Sequence, residues 1–352
     1  MKKIAKSVVR KGLAKLGYEL RRVSKTTPCQ VGMARPPAGS KIYMGCGEDR
    51  REGYVGCDMR ALPSVDIVCR AWELSRHVSN AGEIYSRHML EHLTLAEVEC
   101  TLLDWFEALD IGGKVHIVVP DMDFHVQQWI RATWTPETFR EPKSDARYSF
   151  SGFNGWQREC DPRKPNYNGT YWDVHKSAFN KQNMTFLLKM AGFAGISVET
   201  EEQVHLVAKA TKLLNKGERQ VTPFLGEIRA DHRGRYLLAQ KHMLTGKVLD
   251  IACGIGYGTQ MLANFSPESH VTGVDIHKEA ILYAREYYSA PNADFVEGDA
   301  LSVEFASKFD TVVSFETVEH LPDYKRFVAK IFGLLKDGGR FILSTPNQDA
   351  MP

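Results

Sequence analysis

The chain has 352 residues, 43% of them hydrophobic and 25% charged, which is the profile of a globular protein with material for more than one core. Its net charge of +2 conceals an asymmetry: residues 1–25 hold nine Lys or Arg against the single acid Glu19, leaving 36 bases against 42 acids elsewhere. A mildly acidic body with a basic tail argues against a nucleic-acid partner, whose binding domains are more often basic throughout. The seven cysteines are scattered, with no Cys-x-x-Cys pair and no histidines at zinc spacing. They read as reduced thiols of a cytoplasmic protein, with no disulfide framework and no metal constellation.

Residues 1–40 form a tail and a linker. Ile4, Val8, Val9, Leu13, Leu16 and Leu20 recur at helical spacing, and Lys and Arg fill the other face. Two readings stand: a helix lying peripherally on the anionic inner face of a membrane, or a solvated helix packed on its own domain. No apolar run reaches the length of a signal-peptide core or a membrane span. The stretch Thr26–Ser40, with Pro28, Pro36, Pro37 and Gly39, reads as the linker.

Residues 41–214 carry an alternating strand pattern. Ile42–Gly47 (IYMGCG) is a strand and a Gly turn, Gly53–Asp58 (GYVGCD) a strand ending in an acid, and Val65–Arg70 (VDIVCR) a third. Gly82–Leu93 (GEIYSRHMLEHL) and Leu109–Asp121 (LDIGGKVHIVVPD) supply a fourth and a fifth. The segment 122–183 then holds four of the six tryptophans, Trp129, Trp134, Trp156 and Trp172, among Tyr148, Phe150, Phe153, Tyr167 and Tyr171. Its length argues for function and its aromatics against disorder. It reads either as a platform for sugar rings or as a lid with its own small core. Leu187–Thr211 reads as a helix and two closing strands.

Residues 215–352 repeat the pattern. After a polar hinge, Asn215–Val221, and a helical lead-in, Thr222–Thr245, comes Lys247–Thr259 (KVLDIACGIGYGT). Here an apolar strand runs into a glycine-rich turn and a helix start. Gly254 and Gly256 let the backbone approach a ligand, and the helix N–H groups point back at it. His270–Ile276 ends in Asp275, 19 residues beyond Gly256, where an acid can accept both hydroxyls of a ribose. Ala293–Asp299 ends in a further acid. Phe309–Leu321 (FDTVVSFETVEHL) and Lys336–Pro346 (KDGGRFILSTP) complete five strands. Glu91-His92-Leu93 before Gly112-Gly113 repeats as Glu319-His320-Leu321 before Gly338-Gly339. The internal repeat predicts two tandem domains of one fold.

In this combination, the G-x-G-x-G turn, VDI, EGDA, FETVEHL and GGRF resemble the class I S-adenosylmethionine-dependent methyltransferases. The resemblance implies an α/β fold of two tandem Rossmann-like domains, with strand order 3-2-1-4-5-7-6. It implies a cofactor, S-adenosylmethionine, held at Asp250, Ala252, Gly254, Gly256, Asp275, Ile276, Asp299, Ala300 and Phe315. Gly254 and Gly256 would meet its amino-acid end with Asp250 beneath, Asp275 its ribose, Asp299 its adenine and Phe315 the methyl donor. His232, Arg235 and Tyr236, with Glu227, resemble a lead-in that lines such a pocket or packs its helix on the sheet. The first copy would hold cofactor through Gly45, Gly47 and Asp58, or be a structural copy. Tyr43 stands where Asp250 does, Asp49 where Gly256 does and Arg70 where Asp299 does, and only 11 residues separate Gly47 from Asp58. This compressed layout is similar to small methyltransferases linked with polysaccharide synthesis.

The expected function is methyl transfer to a hydroxyl of a saccharide or lipid-linked glycan. His320, Glu316 and Glu319 are the candidate bases, with His88, Glu91 and His92 their counterparts in the first copy. His320 can equally be a packing residue at a helix start. The alternatives are a scaffold in glycan assembly or a nucleotide-binding enzyme such as an NAD-dependent oxidoreductase. The second domain is expected to lack its last helix and two strands, as a fragment or truncated product would, leaving the far edge of its fifth strand open unless a partner or the first domain covers it.

Overall fold

A computed structural model describes residues 35–158, 160–165, 167, 173–215 and 220–346. The basic tail, 1–25, lies outside the described residues, as do Tyr171 and Trp172 of the aromatic segment. Among the described residues no helix is long and apolar enough to cross a membrane.

The first sheet contains β1 (Lys41–Met44), β2 (Tyr54–Asp58), β3 (Ile67–Val68), β4 (Ala81–Arg87), β5 (Leu109–Pro120), β6 (Ala194–Glu201) and β7 (His205–Thr211). Their order is β3-β2-β1-β4-β5-β7-β6. The first five strands run parallel; β7 is antiparallel to both β5 and β6. Helix α1 (Leu95–Ala108) opens on a capping box between Thr94 and Glu97. It buries Trp105 and Phe106 against the sheet, and the Trp105 Nε1–H donates to the Ala71 carbonyl at 3.0 Å.

The 122–183 segment is helical for much of its length. It contains α2 (Met122–Arg131), α3 (Pro136–Arg140) and α4 (Asp145–Asn154). Side-chain caps start all three: Asp121, Thr135 and Ser144 accept from the first-turn N–H groups. Their aromatics pack on one another. Trp129 meets Trp134 edge-on at 4.8 Å and Phe153 at 5.4 Å, and Phe139 meets Phe150 at 5.9 Å. The segment thus has a small aromatic interior of its own, while Trp129, Trp134, Phe139 and Trp156 each keep a face in solvent. Helix α5 (Lys181–Ala191) starts before the expected Leu187, because Asn180 and Asn183 form a capping box.

The second sheet contains β8 (Lys247–Ile251), β9 (His270–Asp275), β10 (Ala293–Glu297), β11 (Phe309–Phe315) and β12 (Leu335–Ser344), in the order β10-β9-β8-β11-β12. All its pairings are parallel. The central strand β8 is covered on both faces, so Val248, Leu249 and Ile251 are fully buried. Helices α6 (Ala230–His242), α7 (Tyr257–Phe265), α8 (Lys278–Tyr287) and α9 (Tyr324–Leu334) cover the sheet.

The two sheets belong to one compact unit that begins at Arg35. Ala194 and Leu214 share a buried cluster with Ile281, Tyr283 and Ala284 of α8. Two polar ties join them as well. The Tyr287 hydroxyl donates to the Phe193 carbonyl at 2.9 Å, and the Gly195 N–H donates to the Glu286 carboxylate at 3.0–3.1 Å.

Candidate active site

The site of the second sheet forms where β8, β9 and β11 end. At the end of β8 the chain turns sharply: Ala252, Gly254 and Gly256 take φ of 62°, 59° and 90°. A positive φ at the non-glycine Ala252 is strained, costing about 1–2 kcal/mol. The two glycines differ in purpose. A Cβ on Gly254 would meet open space, so the loop surface there is free for a ligand. A Cβ on Gly256 would come within 2.6 Å of Ala284 Cβ and 2.7 Å of Phe295 Cε1. Gly256 thus seats the start of α7 on its neighbours and does not line the cavity, contrary to the expected ligand contact.

Asp275 is the organising acid. Its Oδ2 accepts from the Gly254 N–H and its Oδ1 from the His277 N–H, each at 2.9 Å. A carboxylate has about four lone-pair positions. Two are used, and two remain on a side chain that lines the cavity.

That cavity measures about 530 Å³, within the range of small-molecule sites. Ala252, Gly254, Asp275, Ile276, Asp299, Ala300, Phe315, Glu316 and His320 line it, so nine of the expected residues are brought together. His232, Arg235 and Tyr236 line it too, whereas Glu227 turns away to accept from Thr222 Oγ1 at 2.8 Å. Tyr257, Gln220, His277 and Thr317 also line the wall and were missed by sequence reasoning. Tyr257 alone carried a signal, as an aromatic directly after the glycine turn; its hydroxyl lies 2.9 Å from His232 Nδ1.

Asp250 is a correction. It is buried and does not line the cavity. Thr259 Oγ1 donates to it at 2.7 Å and the Tyr236 hydroxyl at 3.2 Å. Burial pushes its carboxyl up to about 7, against the downward pull of those two bonds. Asp250 therefore ties α6 and α7 to β8 beneath the loop, and the face presented to a ligand is the Tyr236 ring.

Of the three candidate bases, the cavity holds two. Glu316, at φ 51°, accepts from Ser344 Oγ at 3.0 Å and pairs with Arg235 at 3.5 Å, so its carboxylate is already engaged. Glu319 points elsewhere, accepting from Thr345 Oγ1 at 3.2 Å. His320 is exposed, and among the described residues its ring makes no hydrogen bond.

A family described as a methyltransferase domain matches residues 249–343. The cofactor of such a domain is S-adenosylmethionine. The match runs from within β8 to within β12 and contains the whole loop, Asp275, Asp299 and His320. A probable S-adenosylmethionine-dependent methyltransferase of Mycolicibacterium smegmatis is 33% identical over 136 residues, covering 38% of this chain and 51% of that one. A phthiotriol/phenolphthiotriol dimycocerosates methyltransferase of Mycobacterium ulcerans is 33% identical over 112 residues, covering 31% and 41%. Malonyl-[acyl-carrier protein] O-methyltransferase of Bacillus anthracis is 28% identical over 103 residues, covering 29% and 38%. The chain thus spans about half the length of these relatives or less. Among solved structures, the YcgJ protein of Bacillus subtilis is 29% identical, covering 32% of this chain and 50% of that one, with a TM-score of 0.29.

The residues present fit the cofactor. Asp275 offers two open acceptor positions, Gly254 leaves the loop surface clear, and Asp299 stands at the end of the next strand.

The corresponding place in the first sheet is filled. Asp58 accepts from the Gly47 N–H and the Arg60 N–H at 2.9 Å each, as Asp275 does from its two amides. Arg60 Nε and Nη2 then take the remaining positions at 3.1 and 3.5 Å. A Cβ on Gly45 would collide with the Met89 side chain. A cavity beside this sheet is lined by Tyr43, Asp49, Arg51, Tyr54 and Asp66, and not by Gly45, Gly47 or Asp58. Of the two readings of the first copy, cofactor held at Gly45, Gly47 and Asp58 or a structural copy, this geometry favours the structural copy.

One cluster of possible metal ligands comes together in the fold that the sequence did not show as a constellation. Glu91, His92 and His175 place one ligand atom each within 4.8 Å of one another. The sequence concealed this trio because His175 lies late in the aromatic segment, and no zinc spacing links it to His92.

Proposed function

We propose that the protein transfers a methyl group from S-adenosylmethionine to an oxygen of a saccharide or lipid-linked glycan, using the cavity of the second sheet. The observation that carries the cofactor half is Asp275: both its oxygens are fixed by backbone amides, and both retain a lone pair for vicinal hydroxyls. When bound, the cofactor supplies an electrophilic methyl group on a sulfonium. The chain binds, aligns and takes up a proton. Gly254 lets the backbone approach, Asp275 holds the ribose, and Asp299 faces the base. Phe315 and Tyr236, in edge-to-face contact at 4.9 Å, close the cavity with an apolar wall. His320 accepts the proton of the acceptor hydroxyl, since Glu316 is held by Arg235 and Ser344.

Two features support the acceptor half. The aromatic segment keeps exposed faces of Trp129, Trp134 and Trp156, flat surfaces of the kind that sugar rings stack on. The Bacillus anthracis relative is named for an oxygen acceptor, and the Mycobacterium ulcerans relative for a lipid. We place the protein at the inner face of a membrane, with the basic residues 1–25 as its contact.

The test is transfer of labelled methyl to a panel of lipid-linked sugars, sugar nucleotides and fatty acids. Labelled glycan is the expected product, with His320→Ala lowering kcat roughly a hundredfold or more while cofactor affinity holds. Labelling of fatty acids alone would overturn the acceptor assignment, and an unchanged kcat in His320→Ala would remove His320 as the base.

A further inference from the structure

The turn after β4, Leu90–His92, carries a buried carboxylate with an unmet need. Glu91 is 2% exposed. Its Oε1 lies 3.1 Å from His88 Nδ1, but its Oε2 has no hydrogen-bond partner among the described residues. An unpaired carboxylate oxygen away from water is costly, so such an atom points to something that satisfies it.

Two imidazoles face it. His92 Nδ1 lies 3.2 Å from the Val174 carbonyl oxygen, and His175 Nδ1 lies 2.7 Å from the Gly152 carbonyl oxygen. A carbonyl can only accept, so each Nδ1 carries the hydrogen and each Nε2 bears the lone pair. This is the arrangement in which histidines ligate metals: the far nitrogen is anchored on a backbone carbonyl, and the near one is left as the donor. The donors are held from both sides. The Lys176 and Ser177 N–H groups donate to the Glu91 carbonyl at 2.7 and 3.1 Å, and Ser177 Oγ donates to the Leu93 carbonyl at 2.5 Å.

We propose that Glu91, His92 and His175 bind one divalent transition-metal ion, Zn2+ by donor type, and that the ion staples the later part of the aromatic segment to the first sheet. Two imidazoles and a carboxylate, without thiolate, suit zinc better than the oxygen-seeking Mg2+ or Ca2+. Three protein ligands leave a fourth position open. The site stands at the carboxyl end of β4, where the second copy has Glu319 and His320. It is separate from the cofactor cavity, so its test and that of methyl transfer are independent.

The experiment is metal analysis of the full chain after dialysis against Zn2+, with X-ray absorption on the bound ion. About one Zn2+ per chain is expected, with imidazole and oxygen ligands at about 2.0–2.1 Å and no sulfur at about 2.3 Å. The paired change His92→Gln and His175→Gln is expected to weaken binding at least roughly tenfold while the far-ultraviolet circular dichroism is unchanged. Sulfur ligands in the wild type, no Zn2+ above background, or full retention in the double variant would each overturn the site. Because the absorption spectrum reads the wild type alone, a variant that fails to fold does not shield the proposal.

Discussion

The two sheets carry the same turn twice and put it to different use. Positive φ recurs at matched positions, Gly45 and Ala252, Gly47 and Gly254, His88 and Glu316. Asp58 and Asp275 accept the same pair of backbone amides at the same 2.9 Å. The difference lies in what comes next. Asp275 keeps two lone pairs and faces a cavity; Asp58 has both taken by Arg60. Helix α7 follows the loop in the second sheet, whereas turns alone join β1 to β2, so the first loop lacks a helix start directed at a ligand. Arg70 stands in the place of Asp299. The comparison teaches that a conserved turn geometry inside one chain does not by itself make a ligand site; the unspent acceptors do.

The largest effect expected from breaking this comparison is at the acids. Asp275→Ala should weaken S-adenosylmethionine by about 3–6 kcal/mol, two charge-assisted bonds, or roughly 10²–10⁴-fold by calorimetry. Asp58→Ala should leave that affinity unchanged.

Asp250 marks the next difference, since Tyr43 replaces it in the first sheet. Its carboxyl is raised to about 7 in the folded chain, so between about pH 4 and pH 7 the native state holds a proton that the unfolded state has lost. Stability should therefore fall as pH rises through that window, by at most about 4 kcal/mol. Asp250→Asn should flatten the slope of urea midpoints measured from pH 4 to 8. A slope that persists in the variant would assign it to another group.

The loop glycines sharpen the contrast between packing and ligand approach. Gly256→Ala should cost about 2–4 kcal/mol, from left-handed strain plus the overlap with Ala284 and Phe295. Gly254→Ala, with open space around its Cβ, should cost only the strain of about 1–2 kcal/mol. Equal losses in urea unfolding would mean that Gly256 does not pack as described.

The smallest effect is at Arg60, whose side chain is half exposed. Arg60→Ala should cost at most about 1 kcal/mol and create no second cofactor site, because α7 and Asp299 still have no counterparts. A second site in that variant would mean that one guanidinium alone separates the two sheets.

Much of this was legible in the sequence, for identifiable reasons. The strand pattern, the loop after β8 and Asp275 were readable because a βαβ unit writes its turn glycine and its acid at fixed distances along the chain. Asp250 was misread because its partners, Tyr236 and Thr259, come from helices on either side, and only packing shows that they close over it. Arg60 was missed because its role depends on a guanidinium folding back over an acid two residues before it, which no spacing rule signals. The Glu91, His92 and His175 trio was hidden because most of the aromatic segment lies between the partners; His92 and its anchor Val174 lie 82 residues apart.

The most direct test is the number of S-adenosylmethionine molecules bound per full-length chain at saturation. One is the result predicted here, held by the second sheet alone. Two, or none while NAD binds in its place, would contradict it.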